Sequence, residues 1–153
     1  MPRPLLLALL ALALAAPAPA VAHTSDGAGL SFAWPADGTV TSPFGWDGGR
    51  WHPGLDIGIL RSLDVVAAAP GRVVMVGEPR GYEGYGVVVL VDLGNGLAAL
   101  YAHLARPLVQ VGQQLWTGDH LGVAGCTGWC TGTHLHFELR WNGTAVDPTA
   151  LLR

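Results

Sequence analysis

The chain contains no lysine; all eight of its basic residues are arginine, set against 11 acidic residues for a net charge of −3. The arginines are scattered, with no basic stripe or cluster, so nucleic-acid binding has no support. Charged residues make up only 12% of the 153 positions and aromatics 8%. Beyond residue 22 there is no apolar run long enough to span a bilayer. No stretch there keeps a helical hydrophobic period, which argues against a helix bundle or coiled coil. The sequence shows no internal repeat, and no linker or second domain is expected within it.

Cysteine is scarce as well. Cys126 and Cys130 are the only two, in Gly125-Cys126-Thr127-Gly128-Trp129-Cys130-Thr131-Gly132. In an exported chain a small disulfide-bounded loop is the default reading. So short a loop adds little chain-entropy stabilisation. Two thiolate zinc ligands are the competing reading, ranked lower because the histidines and aspartate described below already suffice for a metal.

Export is expected from the N-terminus. Arg3, an apolar run over residues 5–16 and small-residue cleavage sites after Ala20 or Ala22 form the pattern of a secretory signal peptide over residues 1–22. The run is short for a transmembrane helix, so no stable membrane insertion is expected after cleavage. Residues 23–33 read as a flexible, polar start, and residues 34–153 as one domain with its own core. His23 would become the mature N-terminal residue after cleavage at Ala22, and chance explains it better than copper binding.

What the chain has in quantity is glycine, with 22 residues, and proline, with 11. These separate short Val- and Leu-rich pieces at 65–69, 72–77, 86–92, 97–103 and 133–141, which read as strands. Asn95-Gly96 between two of them is a hairpin turn. The fold class expected is all-β: an antiparallel β-sandwich or barrel-like stack of sheets with Gly-rich loops. Val109, Val111, Leu115, Leu121 and Val123 are expected in the core, and Asp119-His120 in a solvated turn.

Four of the six histidines fall in three stretches: His52-Pro53-Gly54-Leu55-Asp56, Tyr101-Ala102-His103 and Thr133-His134-Leu135-His136. Imidazole and carboxylate together suit a divalent first-row ion, and catalytic Zn²⁺ typically takes three such ligands and leaves a fourth position open. Five candidates exceed three, leaving two histidines for acid/base chemistry. In a strand, His134, His136 and Glu138 share one face while Leu135, Phe137 and Leu139 share the other. The hairpin can bring Tyr101 and His103 beside that strand, with Tyr101 packing and Glu138 a hydrogen-bonded edge carboxylate. His52 and Asp56 are held by a fixed loop, because Pro53-Gly54 disfavours a helix between them.

Taken in order, Thr41-Ser42-Pro43-Phe44-Gly45, His52-Pro53-Gly54-Leu55-Asp56-Ile57, Ala68-Ala69-Pro70-Gly71-Arg72-Val73, Gly84-Tyr85-Gly86, Leu100-Tyr101-Ala102-His103-Leu104, Thr131-Gly132-Thr133-His134-Leu135-His136-Phe137-Glu138 and Val146-Asp147-Pro148 resemble the lysostaphin/LytM-type zinc peptidases. These are secreted enzymes that cut peptide bonds in bacterial peptidoglycan. The resemblance implies one Zn²⁺ held by His52, Asp56 and His136, with His103 and His134 as the catalytic histidines. It implies a secreted or extracytoplasmic monomer, in the cell wall or periplasm, acting on peptidoglycan cross-links or stem peptides. The rival implication is a non-catalytic wall-binding or amidase-activating relative of the same fold. A structural-zinc β-domain is a third reading, which an open metal position disfavours.

Three positions depart from the family pattern. Cys126 and Cys130 replace small hydroxyl residues, and Thr133 stands where proline often precedes the His-x-His. Trp129 projects from the same loop. These differences bear on the groove rim, where Trp46, Trp51 and Trp129 are candidates for lining a substrate groove or for ordinary core packing.

Overall fold

Glycine-punctuated strands pair here almost wholly with antiparallel neighbours. The computed structural model describes residues 31–153, so the expected leader, His23 and most of the polar segment after it lie outside the described residues. The strands are β1 (Thr39–Ser42), β2 (Gly45–Asp47), β3 (Arg50–His52), β4 (Leu55–Gly58), β5 (Asp64–Val66), β6 (Gly71–Gly77), β7 (Val88–Gly94), β8 (Leu97–Ala102), β9 (Leu104–Pro107), β10 (Gln114–Leu115), β11 (His120–Ala124), β12 (Leu135–Trp141) and β13 (Thr144–Val146). Among the described residues the one helical element is a single 3₁₀ turn at Glu83–Tyr85. No described helix is long and apolar enough to cross a membrane.

The main sheet has the order β1-β4-β12-β8-β7-β6-β10, with β13 added to β12. A second sheet, β5-β11-β9, and the separate β2-β3 hairpin complete the fold. Leu55, Val91, Tyr101, Phe137 and Leu139 of the main sheet join Val65, Leu104 and Leu121 of the second in one buried cluster. This is the all-β sheet stack expected from the sequence. Asn95 and Gly96 both have positive φ, 53° and 77°, as a two-residue turn of the primed type requires. The turn sets Val89 opposite Tyr101 and Leu90 opposite Leu100.

Register then sorts β12 as its alternation foretold. His136 pairs with Ala102 and Asp56, and Phe137 with Tyr101 and Leu55. Residues directly opposite one another share a face. Phe137, Tyr101 and Leu55 therefore point into the core, and His136, Glu138 and Asp56 stand on the outer face. Tyr101 is a packing residue whose hydroxyl accepts the N–H of Ala68 at 2.9 Å.

Several expectations need correction. Val111 is 62% exposed, and Val123 is only half-buried; both sit where β-branched residues serve strands or turns rather than the core. Residues 133–134 precede β12 instead of opening it, and β8 ends at Ala102 because His103 adopts φ 58°. Glu138 is not at an edge. It lies on β12, flanked by β4 and β8, with no exposed surface. His120 opens β11 rather than lying in a turn, although both it and Asp119 are exposed. Phe32 is buried and bridges Leu152, so the packed domain includes residues just ahead of Trp34.

Candidate active site

Three elements converge on the outer face of the main sheet. β3 ends at His52, the Pro53-Gly54 turn leads into β4 with Asp56, and β12 presents His136 directly beside Asp56 in register. The turn must pass tight over β12. A Cβ on Gly54 would sit 2.4 Å from the Phe137 carbonyl oxygen and 3.0 Å from His136 Cε1, so only glycine fits.

His52 Nε2 lies 3.1 Å from Asp56 Oδ1 and 3.1 Å from His136 Nδ1, and His136 Nδ1 is 2.8 Å from the same Asp56 oxygen. The outer nitrogens of both rings are committed elsewhere. His52 Nδ1 donates to the Pro43 carbonyl at 2.7 Å, and His136 Nε2 donates to Glu138 at 2.9 Å. A carbonyl or carboxylate oxygen can only accept. In their neutral forms both rings therefore turn bare nitrogens inward, where two lone pairs and a carboxylate oxygen meet without a hydrogen between them. Such a donor set calls for a cation. Tetrahedral zinc with bonds of about 2.0–2.1 Å holds its ligand atoms roughly 3.3–3.4 Å apart, near the spacing seen here.

The site's electrostatics reflect this crowding. Burial raises the Asp56 carboxyl, but hydrogen bonds to His136 and His52 outweigh it and hold the group well below the usual carboxylate range. Burial works against the His136 imidazolium, yet its bonds to Asp56 and Glu138 prevail and raise it above an ordinary histidine.

Beneath His136 is a polar network that sequence reasoning underrated. Glu138 accepts from His136, from the Tyr85 hydroxyl at 2.8 Å and from Arg140 Nε at 2.6 Å. Arg140 also reaches the Tyr82 hydroxyl at 2.9 Å. Burial penalises the Glu138 carboxylate, and the His136 and Arg140 bonds more than offset that, lowering its pKa. Burial and the adjacent Glu138 charge push the Tyr85 hydroxyl up to about 12. The signal available was the outward-facing alternation His134, His136, Glu138, Arg140; Tyr85 sits on a 3₁₀ turn that no local pattern ties to β12.

His103 and His134 stand beside this centre, their rings 4.7 Å apart. His134 Nε2 is 3.6 Å from Asp56 Oδ1, and the His103 ring is 5.8 Å from that of His136. Burial holds His103 below an ordinary histidine despite its bond to the Thr127 carbonyl. All five residues singled out from the sequence thus meet in one place. They floor an open groove bordered by Arg50, Trp51, Glu83 and Trp129. Trp46, Trp51 and Trp129 are 74%, 47% and 85% exposed, so the core-packing reading fails for all three. Trp46 stacks edge-on against Trp51 rather than lining the groove itself. Cys126 and Cys130 are joined as a disulfide, not spent as metal ligands.

Residues 50–148 match peptidase family M23. The chain belongs to that family. Among its relatives, the murein hydrolase activator NlpD of Salmonella dublin is 35% identical over 132 residues, 86% of this chain and 34% of the relative. The chain thus spans about a third of that relative's length. A putative M23 peptidase from Pseudomonas aeruginosa has a similar structure, with TM-score 0.70 and 35% identity over 80% of this chain and 50% of that one. The catalytic domain of lysostaphin from Staphylococcus simulans superposes with TM-score 0.59 and 28% identity, covering 79% of this chain and 90% of that one. The all-β fold class and the lysostaphin/LytM-type resemblance read from the sequence are borne out.

Proposed function

We propose that this M23 domain is an exported zinc metalloendopeptidase that hydrolyses peptide bonds in bacterial peptidoglycan, acting as a monomer at the cell wall or in the periplasm. The observation that carries this reading is the convergence of His52 Nε2, His136 Nδ1 and Asp56 Oδ1 within 3.1 Å of one another with two further histidines alongside. His52, Asp56 and His136 would hold the ion. Bound there, Zn²⁺ supplies a Lewis acid that polarises the scissile carbonyl and makes water more acidic.

The protein's own groups supply the rest. His103 and His134 each turn Nδ1 to a backbone carbonyl, at 2.7 Å in both cases. Each neutral ring then keeps a bare Nε2, able to take a proton from attacking water and return it to the leaving amine. As an imidazolium, either can donate to the oxyanion that develops on the substrate carbonyl. The burial that lowers His103 favours its neutral, proton-accepting form. Trp51 and Trp129 border the groove on which a peptide strand would rest.

A second reading draws on the murein hydrolase activator among the relatives: a domain that binds the wall or activates an amidase without cutting. Incubating purified sacculi with the zinc-loaded protein, with and without chelator, separates the two. Chelator-sensitive release of fragments with new amino and carboxyl termini supports the peptidase. No release from any of several wall types supports the activator.

A further inference from the structure

The two histidines outside the converging donor set are tethered to a single loop. The carbonyls that accept from His103 and His134 belong to Thr127 and Gly132, both between β11 and β12. That loop is pinched at its base by the Gly125–His134 bridge, and its first half is closed by the Cys126–Cys130 disulfide. Thr127 lies inside the closed ring. Its hydroxyl donates to the Leu104 carbonyl at 2.8 Å and accepts the Val87 N–H at 3.0 Å. Gly86 packs against its backbone so closely that a Cβ there would lie 2.4 Å from the Thr127 carbonyl carbon. The Trp129 N–H bonds to the Gly84 carbonyl at 2.9 Å, and Cys130 Sγ is 3.7 Å from His134 Nδ1.

The metal-facing groups depend on other partners. His52 is oriented by Pro43, and His136 by Glu138. A disulfide spanning so few residues contributes little to stability through chain entropy. Its consequence is local: it closes a ring that contains Thr127 and ends two residues before Gly132. A carbonyl can only accept, so its placement decides which ring nitrogen carries hydrogen and which faces the groove.

We propose that the disulfide-closed loop is a positioning device for the histidine pair, with Thr127 the positioning residue for His103 and the Cys126–Cys130 bond keeping the Thr127 and Gly132 carbonyls in place. It sets the tautomer of both rings without contributing to metal binding. The proposal rests on the assignment of His103 and His134 to the reaction.

The test compares wild type with a Cys126→Ser, Cys130→Ser double variant and with Thr127→Val and Thr127→Ser, all zinc-loaded. Zinc stoichiometry, kcat and KM on a cross-linked muropeptide, and imidazole ¹⁵N NMR spectra are measured. The double variant and Thr127→Val should keep one zinc and a near-normal KM. Their kcat should fall on the order of 10²-fold, the scale of an ångström's misplacement, and the Nδ1–H signature of the affected histidine should give way to mixed tautomers. Thr127→Ser should restore both. Wild-type kcat and spectra in the double variant, or loss of zinc in parallel with kcat, would overturn the proposal. Should the double variant not fold, the Val/Ser pair at Thr127 carries the comparison. If the wild type cuts nothing, the hydrolase reading fails, and the tautomer spectra alone uphold or overturn the role of the loop.

Discussion

His136 Nε2 lies 2.9 Å from Glu138, a carboxylate with no exposed surface. In the neutral ring that bond keeps hydrogen on Nε2 and leaves Nδ1 bare toward Asp56 and His52, the arrangement a metal ligand needs. Arg140 and Tyr85 in turn hold Glu138, so the orientation of the His136 ring rests on a buried network reaching the 3₁₀ turn.

Removing that carboxylate should be felt twice. Glu138→Ala should weaken zinc binding by about 10–100-fold, read by competition with a chromophoric chelator. It should also cost roughly 3–5 kcal/mol of stability, because Arg140 loses its buried partner. Glu138→Gln, which keeps an acceptor, should fall between Ala and wild type on both scales.

The proposed division of labour among the five site residues predicts opposite phenotypes. Asp56→Ala should purify without zinc. His134→Ala should retain the metal and lose roughly 10²–10⁴-fold in turnover. Elemental analysis alongside kinetics checks this; a His134→Ala that releases zinc beside a His136→Ala that keeps it reverses the assignment.

Close packing makes Gly54 a third probe. Gly54→Ala forces a methyl onto the Phe137 carbonyl and the His136 ring, which should destabilise the protein by roughly 1–3 kcal/mol and reduce zinc affinity. Thermal melts with and without zinc report both effects.

Dependence on pH should differ between metal-free and zinc-loaded protein. In the metal-free state the raised pKa of His136 gives stability that is fully present below an unfolded histidine's value of about 6.5 and lost as pH rises through the folded value. His103, lowered by burial, acts oppositely: its contribution is present above about 6.5 and lost as pH falls through its folded value. Asp56, depressed, contributes above about 3.9 and loses that contribution on further acidification. As the proposed ligand, His136 must give up its proton to bind zinc. The thermal stabilisation that zinc confers should therefore begin to shrink above pH 6.5 as the solution is acidified. A gain that is flat from pH 8 to 6 contradicts the ligand role of His136.

Much of this was legible in the sequence because it resides in local alternation. Leu135, Phe137 and Leu139 alternate with His136 and Glu138, and that period fixed both the core face and the site face of β12. Asn95-Gly96 likewise marked the β7–β8 hairpin, whereas the pairing of β8 with β12 that brings His103 near His136 joins strands far apart in sequence and has no local signal. The short strands β1 to β4, β9 to β11 and β13 escaped notice, since elements of two to five residues in Gly-rich sequence carry almost no periodic signal. Val111 misled because a β-branched residue in a turn looks like core. The support for the site was least visible: Tyr85 meets Glu138 only in three dimensions, and the Thr127 and Gly132 carbonyls act through backbone that no side-chain pattern reports.

The most direct test of the central claim is mass spectrometry of a cross-linked muropeptide after incubation with the zinc-loaded protein and with the same protein stripped by chelator. The account predicts products carrying one new amine and one new carboxylate, formed only when zinc is bound and abolished by Asp56→Ala. An intact substrate under zinc-replete conditions, or cleavage indifferent to chelator and to Asp56→Ala, would contradict it.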